Sequence, residues 1–307
     1  MIKIPSVFVI IVTYKGKQWY DRCFGSLQQS TIPLNVVVID NNSNDASLTY
    51  IRDNYPEIHL IESNENIGFG RANNMGMRYA LQHECDYVFL LNQDAWIEPD
   101  TIAQLLEIHK QYPQYGVLSP VHLNAEKSGI EKILLESYLV NSSIIDSYWV
   151  NDLYFARLKE VYSVKFINAA AWLLPVSTLR IVGGFDPLFY HYGEDDNYIQ
   201  RVLFHGLKVG FCPKVKIVHD HQLSINTKVT GPLYLFQKSV LVESANINIE
   251  FRFPTLFYTI MCCVKSIVQR RFDNCQSHWK RYCYLKKNKE SIMQSRTKNV
   301  MKGMTWL

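Results

Sequence analysis

The strongest constraint on this chain is an alternation, running to about residue 120, of short aliphatic runs with longer stretches of helical character. Val7–Thr13, Asn35–Asp40, Ile58–Glu62 and Tyr87–Asn92 are rich in Val, Ile, Leu and Phe and bounded by polar turn residues, so they are expected to be strands. Between them, Trp19–Gln29, Ala46–Asn54, Arg71–Gln82 and Thr101–Tyr112 are expected to be helices; the last is entered through Glu98-Pro99-Asp100, a helix-starting cluster. Strand, helix, strand in succession returns the chain to the same sheet in the same direction. It therefore predicts an α/β fold with a mostly parallel, Rossmann-like sheet covered on both faces. With 307 residues, 48% of them hydrophobic, there is material for one large or two ordinary domains, and disorder is excluded.

Residues 121–165 show no period and read as an insertion or loop-rich cover. Apolar character returns from Val164 through Ala169–Pro175 and breaks at Gly183-Gly184; after Gly193 a helix is expected to about His205. Lys208–Cys212 and Val215–His219 read as two short strands, and residues 230–300 as helical. Phe251–Val264 is strongly apolar, but Lys265 interrupts it before the ~20 residues that a bilayer span requires. Met1–Val12 carries one Lys and Pro5 and runs into Thr13-Tyr14-Lys15 without a small-residue cleavage site, which fits a first strand better than a signal peptide. Seven scattered cysteines with no C-x-x-C pair suit a reducing, cytoplasmic compartment. The overall charge of +4 is uneven: from Cys262 onward eleven Lys/Arg face only Asp273 and Glu290, a net +9, which leaves −5 for residues 1–261. A basic, aromatic end on an acidic body points to an anionic surface or to solvated helix faces.

Ligands of open α/β sheets bind beyond the carboxyl ends of the strands. Here those ends are polar: Thr13-Tyr14, Asp40-Asn41-Asn42-Ser43-Asn44-Asp45, Asn64-Glu65-Asn66-Ile67-Gly68-Phe69-Gly70, and Asn92-Gln93-Asp94. Asp94 could share Mg²⁺ or Mn²⁺ with a diphosphate, or cap the next helix. Asp40 could accept hydrogen bonds from a base or ribose, or close an Asx turn, the plainer reading of that residue alone. Small residues from Gly68 to Gly76 would allow close approach to phosphate or sugar, or simply form a flexible turn; their spacing is not a dinucleotide fingerprint. Three adjacent acids, Glu194-Asp195-Asp196, repel one another and could supply a general base, or complement a helix N-terminus. His219 could contact a metal or diphosphate, or be an ordinary packed histidine. No H-E-x-x-H, G-x-S-x-G or phosphate-binding G-x-x-x-x-G-K-[ST] motif is present.

Taken in order, these stretches resemble the family 2 glycosyltransferases of the GT-A fold, especially the rhamnosyltransferase-like and galactofuranosyltransferase-like members. The resemblance runs from Val7 to about Ser224: Asp40-Asn-Asn-Ser, Asn66-x-Gly-Phe-Gly-x-Ala-Asn-Asn-x-Gly, Leu91-Asn-Gln-Asp94, Gly183-Gly-Phe-Asp, Gly193-Glu-Asp195, and His219 five residues before Ser224. It implies a GT-A domain over residues 1–228, a basic helical extension over 229–307, and inverting transfer of a sugar from a nucleotide-diphosphate donor, dTDP- or UDP-linked, to a hydroxyl of a glycan or lipid-linked acceptor in bacterial surface polysaccharide synthesis.

By the same resemblance, Thr13, Tyr14, Asp40, Asn42, Asn66, Gly68, Arg71, Asn73, Asn74, Asn92 and Gln93 would bind the nucleotide sugar. Asp94 and His219 would hold Mg²⁺ or Mn²⁺, and Asp195 would be the base with Glu194 as understudy; apart from the resemblance, Trp172 and Tyr192 are candidate sugar-stacking partners on the acceptor side. Two positions depart from the pattern: Asn92 stands where many relatives have a first Asp, and Asn197 where a final acid is common. The basic end would rest on the inner face of the cytoplasmic membrane, with no nucleic-acid partner. Competing readings are a catalytically silent nucleotide-sugar-binding or membrane-scaffolding subunit, or a nucleotidyltransferase, for which Thr13-Tyr14-Lys15-Gly16 is a poor phosphate loop.

Overall fold

The computed structural model describes residues 4–136, 149–220 and 231–307. Four expected strands form: β1 (Val7–Thr13), β2 (Asn35–Asp40), β3 (His59–Glu62) and β4 (Tyr87–Asn92). They pair in parallel in the order β3-β2-β1-β4. Register sets Thr13 opposite Asp40 and Val12 opposite Asn92, so three polar strand ends lie abreast on one edge. Helices α1 (Lys17–Gln28), α2 (Ser47–Asn54), α3 (Phe69–Gln82) and α4 (Thr101–Gln111) make the crossovers, within two residues of the expected bounds.

Alternate strand residues divide the core between the two faces, as the two-residue period of a pleated strand requires. Phe8, Ile10, Val37, Ile39, Val88 and Leu90 pack beneath α3, and Val7, Val9, Ile11, Val38, Phe89 and Leu91 against α1, α2 and α4. Gly76 brings α3 close to the sheet: a Cβ there would lie 2.5 Å from Ile10 and 2.8 Å from Ile39.

The second half of the sheet is mixed. Beyond β4 come β8 (Ala171–Pro175), β6 (Tyr115–Leu123), β9 (Lys208–His219) and β5 (Ala95–Ile97), with β7 (Tyr162–Ser163) on β9. β8 runs antiparallel to both neighbours, a central strand with all five residues buried. The expected pair Lys208–Cys212 and Val215–His219 is one strand. Its register against β6 jumps between Pro120–Cys212 and Val121–Lys216, a bulge at Pro213, which has no N–H to give the ladder. The expected loop-rich cover contributes the end of β6, the short helix α5 (Trp149–Tyr154) and β7; residues 137–148 lie outside the described residues.

After β8 come α6 (Val176–Val182) and α7 (Glu194–Phe204). The C-terminal segment adds α8 (Pro232–Ala245), α9 (Leu256–Val268), α10 (Phe272–Lys287) and α11 (Lys289–Asn299). It is fastened to the turn between α6 and α7: Asp186 accepts from Ser295 Oγ (2.6 Å) and Asn299 Nδ2 (2.8 Å), and Gly184 N donates to Thr305 O (2.8 Å). Fully buried Arg201 donates to the carbonyls of Val182 and Gly184, tying α7 to the same turn. Among the described residues no helix is long and apolar enough to cross a membrane. The expected boundary at 228/229 falls outside the described residues, as do His221 and Ser224.

Candidate active site at the carboxyl edge of the sheet

The polar strand ends are bound to one another. Thr13 Oγ1 donates to Asp40 Oδ1 (3.3 Å), while Asp40 Oδ2 accepts from Ser43 N (2.8 Å), so this buried carboxylate also closes an Asx turn. Asn42, just beyond, has left-handed backbone (φ 66°). Gln93 brackets Tyr14, accepting from its N–H (2.9 Å) and donating to its carbonyl (3.3 Å). Asn66 Oδ1 accepts from Asn41 Nδ2 (3.0 Å) and Gly68 N (3.1 Å), and Tyr190 Oη donates to the same residue at 3.2 Å. Gly68, at φ 85°, lies so close to Tyr190 that a Cβ would strike the Tyr190 carbonyl oxygen. The loop after β3 is thereby pinned to the loop preceding α7.

Asp94 meets His219 because β5 and β9 pair antiparallel with Ala95 opposite His219. His219 Nε2 lies 3.4 Å from Asp94 Oδ1, and Nδ1 lies 3.8 Å from Glu131 Oε2. His219 and Glu131 are buried, whereas the Asp94 side chain is 19% exposed. Burial opposes a charge on His219, yet the neighbouring carboxylates of Asp94 and Glu131 prevail and raise it to about 9. His122, edge-on to His219 at 5.8 Å between centroids, is pushed down to about 3 by burial and by the His219 charge. Ligand atoms of His122, Glu131 and His219 lie within 4.8 Å of one another. A carboxylate and an imidazole converging at a solvent-reached edge fit a divalent cation, and the nitrogen donor favours Mn²⁺ over Mg²⁺. Glu131 and His122 escaped the sequence reading because they stand in a stretch without period; only the β6–β9 register brings them to His219.

The acids follow Gly193, whose left-handed conformation (φ 95°) turns the chain into α7. Glu194 is buried, and its Oε2 has no hydrogen-bond partner among the described residues. Burial, helped by the charge of Asp195, raises Glu194 to about 8. Asp195, partly exposed, is raised to about 6 by burial and by Asp196, with Lys238 pulling the other way. At neutral pH Asp195 is thus mostly ionised yet basic enough to take a proton. Lys238, from α8, lies 3.3 Å from Asp196 and 5.9 Å from the Tyr192 ring, so the C-terminal segment supplies the counter-charge of the cluster. Tyr192 itself is 37% exposed.

Three expected contacts do not hold. Trp172 is 0% exposed, packed in the core of β8 against Phe185 and Tyr198, and presents no face to an acceptor. Asn74 is spent on structure, donating to Phe185 O (2.8 Å) and accepting from Phe185 N (2.7 Å), and buried Asn73 donates back to Phe69 O within α3. The helical spacing that exposes Arg71 turns both asparagines inward. Arg71 donates to Pro187 O (3.0 Å). Asn92 keeps a buried Oδ1 without a partner among the described residues.

Solved structures share this architecture. The mannosyltransferase PcManGT from Pyrobaculum calidifontis, in complex with GDP-Man and Mn²⁺, matches with a TM-score of 0.57 and 17% identity over 94% of this chain and 76% of that one. S. aureus TarS matches with a TM-score of 0.57 and 13% identity over 87% of this chain; the match spans 43% of TarS. The fold is the GT-A fold of glycosyltransferases. Residues 8–164 match glycosyl transferase family 2, and the chain belongs to that family. Among its relatives, a low-salt glycan biosynthesis hexosyltransferase, Agl10 of Haloferax volcanii, is 26% identical over 71% of this chain and 68% of its own. The N-acetylglucosaminyl-diphospho-decaprenol L-rhamnosyltransferase of Mycobacterium tuberculosis is 22% identical over 78% and 83%.

Proposed function

We propose that this glycosyltransferase is an inverting, divalent-metal-dependent enzyme that moves a sugar from a dTDP- or UDP-linked donor to a hydroxyl of a glycan or lipid-linked acceptor. The observation that carries the reading is that the acids and the polar strand ends are tied together: Tyr190 Oη donates to Asn66 Oδ1 (3.2 Å), which pins the loop leading into Glu194 and Asp195 against the loop after β3, while just past β4 Asp94 lies 3.4 Å from His219. Thr13, Tyr14, Asp40, Asn42, Asn66, Gly68, Arg71, Asn92 and Gln93 would line the donor side, with Tyr192 toward the acceptor. Asp94 and His219 would hold Mn²⁺ or Mg²⁺, whose charge stabilises a departing nucleoside diphosphate. Asp195 removes the acceptor proton as the acceptor oxygen bonds to the anomeric carbon and the bond from that carbon to the diphosphate oxygen breaks. Displacement from the face opposite the leaving group inverts the anomeric centre.

A lipid-linked acceptor would place the enzyme on the inner face of the cytoplasmic membrane in bacterial surface polysaccharide synthesis. The physical support is the hairpin of α9 and α10, which exposes Phe257 (75%), Met261, Val264, Val268 (77%), Phe272 and Trp279 beside Lys265, Arg270 and Arg271. Apolar side chains rimmed by cations suit an interface with anionic lipid.

The test is calorimetric titration of UDP, dTDP and GDP with and without Mn²⁺, comparing the native protein with Asp94→Ala. Metal-dependent binding of one nucleotide, lost in the variant, is expected. No binding under any condition overturns the donor-site assignment, and Asp195→Asn that still transfers sugar overturns the base.

A further inference from the structure

We propose that Glu131 is a positioning residue for the donor-side cation: its carboxylate, 3.8 Å from Nδ1 of His219, favours the proton on that nitrogen and so leaves Nε2 toward Asp94. The inference rests on the reading of Asp94 and His219 as cation ligands and extends it to a residue from outside the family's motifs.

Glu131 is built to stay where it is. Its backbone N–H donates to His122 O (2.8 Å), its carbonyl accepts from Leu135 N (3.0 Å), and its Oε2 also accepts from Leu134 N (3.3 Å). A bridge between Leu123 and Ile130 folds this segment against the end of β6, which pairs with the end of β9. The carboxylate therefore sits on the Nδ1 side of His219, opposite Asp94. His122, edge-on to the same ring at 86°, closes another side and limits rotation. His122 has Ser119 Oγ at 3.3 Å from its own Nε2.

An imidazole can give a lone pair to a cation from one nitrogen only if the other carries the proton. A buried carboxylate beneath the ring fixes that choice, and loss of such a partner typically weakens metal binding by ~10–100-fold. The structure thus supplies a chain of three groups: Asp94 open to solvent, His219 behind it, and Glu131 behind that. Without Glu131, His219 gains a second usable orientation and the cation loses its preorganised nitrogen.

The experiment compares Mn²⁺ affinity of the full chain with UDP present for the native protein, Glu131→Gln, Glu131→Asp and Asp94→Ala, by calorimetry and by pulsed EPR of the bound Mn²⁺. The expected results are an imidazole nitrogen coupled to Mn²⁺ in the native protein, affinity at least tenfold weaker with that coupling diminished in Glu131→Gln, and partial recovery in Glu131→Asp. Glu131→Gln that binds Mn²⁺ within twofold of native, with unchanged nitrogen coupling, overturns the proposal while Asp94→Ala still loses the metal. If Asp94→Ala also binds normally, the cation site itself is wrong and the proposal falls with it. A measurement on the native protein guards against a variant that fails to fold: with Mg²⁺ and UDP bound, ¹⁵N NMR should show His219 protonated at Nδ1, and protonation at Nε2 overturns the proposal.

Discussion

Replacing Glu194 by Gln should make the protein more stable, by an amount that depends on pH. In the native state this carboxyl is raised from 4.5 to about 8, first by burial and then by the charge of Asp195. The folded protein therefore binds a proton that the unfolded chain releases between those values. Stability from this group is complete below pH 4.5 and is lost as pH rises toward 8. At 1.36 kcal/mol for each pH unit, the 2.5 units between 4.5 and 7 cost about 3 kcal/mol, and the full window about 5 kcal/mol. Gln has nearly the shape of the protonated acid and no proton to lose, so the variant should match the native protein near pH 4.5 and exceed it by ~3 kcal/mol at pH 7. For a chain of this size that is a rise in Tm of roughly 5 °C. Thermal and urea unfolding of both proteins at pH 4.5, 7 and 8.5 measures the difference. A difference in Tm that stays constant across that range would refute the reasoning, because it would mean that Glu194 is ionised in the folded protein throughout.

Asp195→Asn should retain donor binding and lose transfer by ~10²–10⁴-fold, measured as donor Kd against turnover. In the native enzyme the rate should fall below a pH near 6 as Asp195, raised to about 6, takes up its proton; an acidic limb below pH 4.5 would contradict this. Lys238→Met removes the cation that holds Asp195 and Asp196 down, so that limb should move upward by about one pH unit, and Lys238→Arg should restore it. Phe257→Ser together with Trp279→Ser should abolish co-sedimentation with vesicles of anionic lipid while leaving the transfer rate to a soluble acceptor unchanged. If the native protein stays in the supernatant, or elutes as a dimer through this hairpin, the lipid reading is wrong.

The parallel half of the fold is plain in the sequence because each strand there is a continuous apolar run bounded by turns, and every crossover helix lies nearby. β8 and β6 are harder to see: Ala171–Pro175 is short and apolar without alternation, and both its partners, β4 and β6, lie far upstream of it in the chain. The site divides along the same line. Asp40, Asp94 and Asp195 stand at strand ends or a helix start, where a one-dimensional pattern marks them. Glu131 and Lys238 reach their partners through pairing and packing that no spacing records. Trp172 misled because an aromatic residue near a site resembles a sugar platform until its 0% exposure is known.

The fastening of Thr305 and Trp306 against the Gly183-Gly184 turn has a consequence for the order in which the molecule becomes an enzyme. Asn74 Nδ2 contacts Phe185 O and Trp306 O, and its partners in that second contact are 232 positions apart. A nascent chain completes the parallel half of the sheet early, from local crossovers. The turn presenting the acids must wait, with Gly184 N–H and the Asp186 carboxylate open, until Ser295, Asn299 and Thr305 have been made. A chain that stops short of them carries the polar strand ends but lacks the finished support beneath Glu194 and Asp195.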